Sequence, residues 1–267
     1  MDALYVYGQY LLLSIRAQLQ YRGAFISAAV GQFLSSGIEF VGMWALFERF
    51  GHLQGWQFAE VAFFYAVVNA TFAIGDALST GFDQLGPLYI KTGNFDRVLL
   101  RPRSPMLQLA GHELALRRVG RLAQGVIVFG WASIALNMDW TVAKTAFLMW
   151  TVVGGVCFFF ALFVLNATVS FWSTETLELM NILTYGGLEA AQYPMSIYGA
   201  AFRKFFTFGV PLACISYFPL VGVLGVDDPI GSSRGFQIMS PAIGVMFLLV
   251  ACQFWRLGMR HYTSTGN

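Results

Sequence analysis

The chain has 267 residues, of which 57% are hydrophobic and only 11% charged, with a formal net charge of +2. Soluble domains carry about 25% charged residues, so this composition cannot coat a water-facing surface, and a bilayer is the expected solvent. Three cysteines, Cys157, Cys214 and Cys252, lie in separate apolar stretches without CxxC spacing, which suggests neither a disulfide framework nor a metal site.

Residues 1–22 carry no basic segment ahead of their first apolar residues and no small-residue cleavage site, so they do not read as a secretory signal. Leu4, Tyr7, Leu11, Ile15 and Leu19 recur at spacings of three or four, while Gln9, Arg16 and Gln20 lie off that stripe. This pattern predicts an amphipathic helix lying in the cytoplasmic membrane interface. About 20 apolar residues cross the hydrocarbon at ~1.5 Å per residue. Five stretches meet that length: 24–47, 58–79, 119–137, 143–171 and 236–256. Between Ser173 and Val226 two candidates compete. The more apolar one, 205–225, is interrupted by Pro211 and Pro219, and the other, 175–198, carries Glu178, Asn181 and Glu189.

Lys and Arg concentrate in cytoplasmic loops. With the N-terminus inside, eleven of the sixteen basic residues fall on the inner side, so both termini are expected in the cytoplasm and the span count is even, at six. Of the seven tryptophans, Trp44, Trp56, Trp131, Trp140, Trp150, Trp172 and Trp255, most sit near span ends, as an interfacial belt requires. Ala62, Ala66 and Ala70 form a small-residue stripe suited to close helix contact, within the subunit or across a dimer.

The segment 81–118, between the second and third spans, is the sizeable non-spanning piece of the first half. Between Gly86 and Arg121 it holds seven basic residues against Asp96 and Glu113. Apolar Phe95, Val98, Leu99 and Leu100 are interleaved with Lys91, Arg97, Arg101 and Arg103, and Pro102 and Pro105 end any helix there. A loop that only sets topology or binds headgroups has no need of those apolar residues. A short amphipathic helix docking on a soluble partner does.

The run KTGNFDRVLLRPRSPMLQL, beginning at Lys91, resembles the RTGxFDRxLLRPxSPxxQL signature of a bacterial family of type-2 ABC exporter permeases. Gly55–Trp56 followed by Glu60, the stretch from Tyr193 to Pro219 and the tail after Trp255 are similar to the same family, so the likeness covers almost the whole chain. One departure is GAAF at 199–202, where the family tends to have a Pro–Arg–Trp–Leu type of sequence. The resemblance implies an all-α fold of six transmembrane helices in a single permease domain, 1–267. It implies a coupling helix in the loop after the second span, built from Lys91, Gly93, Phe95, Asp96, Arg97, Leu99, Leu100, Arg101, Pro102, Ser104 and Pro105. It places the fifth span at 176–198 and a re-entrant hairpin at 199–226, before the sixth span. It also implies two separate nucleotide-binding ATPase subunits, a second permease of the same or a related kind, and a bacterial inner membrane.

No GxxxxGK[ST] sequence occurs, so ATP and Mg are expected on the partner ATPase and no cofactor on this chain. No HExxH or GxSxG occurs either, which leaves an integral membrane enzyme without visible machinery. An ATPase-independent scaffold or channel leaves 93–105 unexplained. No nucleic-acid partner is expected; membrane lipid is. Ionisable groups within spans cost roughly 2.5–3.5 kcal/mol on insertion scales and need a reason. Glu39, Asn69, Asp76, Asn166 and Glu178 are therefore candidates for the pathway or for intramembrane packing. Asp76 is expected to pair with a cytoplasmic Arg, and Glu60 reads as an interfacial residue.

Overall fold

The computed structural model describes residues 3–173 and 180–264, and among these the secondary structure is helical, with one isolated bridge, Leu53 to Trp56. α1 (Ala3–Gln20) and α2 (Arg22–Phe50) are separated by a break at Tyr21, close to the expected boundary between interfacial helix and first span. α3 (Phe58–Asp83) opens with a capping box in which Glu60 Oε2 accepts from the Gln57 N–H at 2.8 Å. Glu60 is thus a helix cap that satisfies an orphan amide, a more definite role than its position at a span end indicates.

α3 is the centre of the molecule. It is buried along most of its length and packs between α6 (Val119–Ala135) on one side and α7 (Val142–Val169) on the other. α2 covers the outer side of α6, and the last helix, α13 (Ala242–Arg260), covers α7. Small residues set these crossings. A Cβ on Gly125 of α6 would stand 3.1 Å from the Ala66 carbonyl and 3.2 Å from the Ala70 nitrogen. The alanine stripe therefore packs inside the subunit. At the α7–α13 crossing a Cβ on Gly244 would lie 2.0 Å from the Gly154 carbonyl, so the two backbones meet at a glycine pair.

Among the described residues, four stretches are long and apolar enough to cross a membrane: Arg22–Phe50, Phe58–Ile90, Val142–Val169 and Ala242–Arg260. α6, with 17 residues, reaches about 26 Å. The expected fifth span, 176–198, falls partly outside the described residues, Glu178 with it. Its described part is not one regular helix. It is a π-helical turn, Ile182–Gly186, then α8 (Gly187–Ala191), then a 3-10 turn, Met195–Ile197. Pro194 breaks it, since proline removes an N–H and clashes with the preceding turn. The stretch expected to re-enter is a bent helix pair, Ala200–Gly209 and Leu212–Leu224, at 73° around Pro211. Its parts are α9 (Ala200–Lys204), α10 (Leu212–Ile215) and α11 (Tyr217–Leu224), and α12 (Arg234–Met239) leads into α13.

Candidate functional site

The segment between α3 and α6 folds as a compact platform at one end of the bundle. A π-helical turn, Leu85–Ile90, extends α3, and the chain reverses at Gly93, whose φ of +71° suits a residue without a Cβ. α4 (Phe95–Leu99) and α5 (Pro105–Ala110) follow. Pro105 stands at the first position of α5, where its missing N–H costs nothing. Gln108 Nε2 donates to the Val98 and Arg103 carbonyls, both at 3.0 Å, tying α5 to the turn 98–103.

The platform is held from two directions. On one side α1 clasps the return strand of chain: the Leu114 N–H donates to Ser14 Oγ at 2.9 Å and the Leu116 N–H to Gln18 Oε1 at 3.1 Å. On the other, the C-terminal tail straps α4. Tyr262 OH donates to Asp96 Oδ1 at 3.0 Å and Ser264 Oγ to Oδ2 at 2.6 Å, while the Tyr262 ring stands edge-on to Phe95 at 4.9 Å. Burial, and then the Asp96 carboxylate, push the Tyr262 phenol up to about 12, so it stays protonated and donates.

This geometry divides the residues of the loop motif into two faces. Phe95 is fully buried against Phe171 and Tyr262, and Asp96 is taken by the tail. Phe95 and Val98 point inward at a spacing of three. The expectation that Phe95 belongs to a docking face is therefore corrected: it anchors α4 to the bundle. The opposite face carries Arg97, Leu99, Leu100, Arg101, Pro102 and Ser104, all exposed, with Lys91 exposed nearby and Gly93 and Pro105 half-buried. Leu100 is 85% exposed. Beside this ridge lies a cavity of about 350 Å³ lined by Tyr89, Asn94, Arg97, Arg101 and His112 among others. Among the described residues, Lys91, Arg97, Arg101 and Arg103 form no ion pair.

The other candidate residues sit within the helices. Arg118 Nε meets Asp76 Oδ2 at 2.6 Å, and Arg118 also donates to Gln32 Oε1 at 3.2 Å. One turn on, Arg121 reaches Glu39 Oε1 at 3.4 Å and lies over the Phe72 ring at 5.7 Å. Tyr65 OH donates to the Ser36 carbonyl at 2.6 Å. These contacts clip α2, α3 and α6 together through a polar layer, and the expected pairing of Asp76 with an Arg is found with Arg118. Asn69 Nδ2 donates back to the Tyr65 carbonyl at 3.1 Å, and Asn166 Nδ2 to Asn181 Oδ1 at 3.4 Å. The structure thus brings Glu39, Asp76 and Asn69 into one region and leaves Asn166 on α7 apart. Arg118 and Arg121 were countable as loop charges only; their spacing of three at the start of an apolar run was the signal that both enter the bundle.

Among comparisons with known proteins, neither a curated protein nor a solved structure matches this chain. A family model does: that of the ABC-2 family transporter proteins, over residues 33–266. The match takes in the platform and every long helix but α1 and the N-terminal turns of α2, so the chain belongs to the ABC-2 transporter family and is a multi-pass membrane permease.

Proposed function

We propose that this chain forms, as a dimer with a second permease, the pathway of an ATP-driven exporter, and that residues 91–105 are its contact with a separate ATPase. Each transporter then holds two such ATPases, which bind ATP and Mg. The platform faces the cytoplasm of a bacterial cell, with both termini on that side of the inner membrane. One observation carries this reading: the face of Arg97, Leu99, Leu100 and Arg101 points away from the bundle, with its leucines bare and its cations without an ion pair among the described residues. Water does not favour that arrangement, and a partner surface with apolar sockets and acidic groups does.

Six crossings accord with the path of the chain. α7 ends at the platform, whereas Ser196 Oγ accepts from Trp56 Nε1 at 2.9 Å at the opposite end, to which the described residues 180–196 lead. α13 then starts at the end opposite the platform and finishes beside Asp96. The bent pair 200–224 begins and ends at that far end, as a re-entrant hairpin does. Its irregular backbone is sheltered by protein: Leu212, Ala213, Tyr217, Leu220 and Val221 are buried.

The coupling energy must come from contacts that differ between the ATP-closed and open forms of the ATPase. The tail strap ties the platform to the end of α13, and the Arg118–Asp76 pair ties its far edge to α3, so a push on α4 reaches both helices. Glu39, which is partly exposed on α2, faces the pathway or the second permease in this scheme. Co-purification tests the reading. Arg97→Glu with Leu100→Asp should insert and fold as wild type but lose the ATPase; wild-type recovery of ATPase with that variant rules the contact out.

A further inference from the structure

The end of the bundle opposite the platform holds a cavity of about 700 Å³ between α7, α11 and α12. Its origin lies in the backbone. α12 stops at Ser240, and α13 starts after Pro241. The Pro241 carbonyl fits where Gly154 has no side chain; a Cβ there would come within 2.4 Å of it. α12 is thereby turned over α7 and held by Trp150, whose Nε1 donates to the Ile238 carbonyl at 3.1 Å. Gly222 leaves α11 bare where it faces them. A Cβ on Gly222 would stand 2.9 Å from both the Phe147 ring and Gln237 Oε1.

The lining is graded. Lys144 and Arg234 line it from the first turns of α7 and α12, and Phe147, Trp150 and Ile238 line it one or two turns further along those helices. Neither cation has an ion pair among the described residues. The nearest acids along the chain are Asp139 before Lys144 and Asp227 before Arg234, both exposed, and Asp228. Asp228 is already occupied: it accepts from Tyr217 OH at 2.5 Å and from the N–H groups of Ile230 at 2.9 Å and Ser232 at 2.8 Å. Burial raises its pKa, but hydrogen bonds from Ser232, Tyr217 and Ile230 outweigh this and hold the carboxyl below its usual value. Lys144 also lies in the first turn of the 28-residue α7, where the helix dipole disfavours a lone cation and favours an anion. Phe147 and Trp150 follow at about 4.5 and 9 Å along the helix axis. Charge in the first helical turns and apolar surface in the turns that follow match the order of groups in a lipid at the membrane interface.

We propose that this cavity binds an anionic phospholipid, its phosphate held between Lys144 and Arg234 and its first acyl segment laid along Phe147, Trp150 and Ile238. The site does not depend on the ATPase contact. Purified full-length protein in non-ionic detergent is titrated with dioleoyl phosphatidylglycerol or dioleoyl phosphatidylcholine, and retained lipid is counted by native mass spectrometry. Wild type should hold the anionic lipid at least about tenfold more tightly, the effect of two cations near a membrane surface. Lys144→Ala with Arg234→Ala should erase that preference, and Lys144→Arg should keep it. Equal retention of the two lipids by wild type, or an unchanged preference in the double alanine variant, overturns the proposal. Inorganic phosphate should fail to displace the lipid; full displacement by millimolar phosphate would assign the cations to a soluble anion and overturn the lipid reading.

Discussion

α2 and α3 are close in mean hydropathy, 1.4 and 1.6 over their most apolar windows, yet 6% of the first window is buried and 78% of the second. Hydropathy therefore does not rank burial in a lipid solvent, where tails are as apolar as leucine. Small residues and polar groups do that instead. α3 presents Ala62, Ala66 and Gly75 to its neighbours and places Tyr65, Asn69 and Asp76 inside. α2 keeps a stripe of Ile26, Val30, Leu34, Ile38 and Val41 exposed at spacings of three and four. That stripe faces lipid or, in the proposed dimer, the second permease.

The contrast can be broken most forcefully at the polar clip. Arg118→Ala strands the Asp76 carboxylate, and losing one partner of a buried pair costs about 3–5 kcal/mol. Removing both, as Asp76→Leu with Arg118→Leu, should cost much less, and thermal unfolding in detergent reads the difference. Next comes the alanine stripe. Ala66→Leu forces α6 away from α3 at Gly125, an overpacking expected to cost about 1–3 kcal/mol and to lower the melting temperature. A smaller effect is expected at the strap. Tyr262→Phe removes one hydrogen bond to Asp96 but keeps the ring on Phe95, for roughly 1–2 kcal/mol, and should appear as faster proteolysis within 91–105 rather than as global unfolding. Least of all, Val30→Leu or Ile38→Leu on the bare flank of α2 should stay within about 0.5 kcal/mol. A large loss there would mark that flank as a helix contact and sharpen the case for a dimer interface.

Much of this was legible in the sequence, for identifiable reasons. Asp76 demanded a cation because an acid deep in an apolar run has few other ways to exist, and Arg118 supplies it. The platform was legible from leucines set among arginines. Phe95 was placed on the wrong face because a helix of five residues is too short for its period to show which side is buried. The strap was invisible: Tyr262 and Asp96 are 166 residues apart, and nothing local marks either as a partner. Pro194 and Pro211 announced breaks without fixing the path of the chain between them. Glu60 looked like an interfacial charge and is a cap, a role that depends on the backbone of Gln57 rather than on hydropathy.

The central claim is that one face of α4 is free for an ATPase while the other is locked to the bundle. Site-directed cross-linking tests it directly. Cys157, Cys214 and Cys252 are first replaced by alanine, and single cysteines are then introduced as Leu100→Cys or Phe95→Cys in membranes that hold the ATPase. The account predicts a cross-link from position 100 that weakens or shifts when ATP is added, and none from position 95. Cross-linking from both positions, or from position 95 alone, would contradict it.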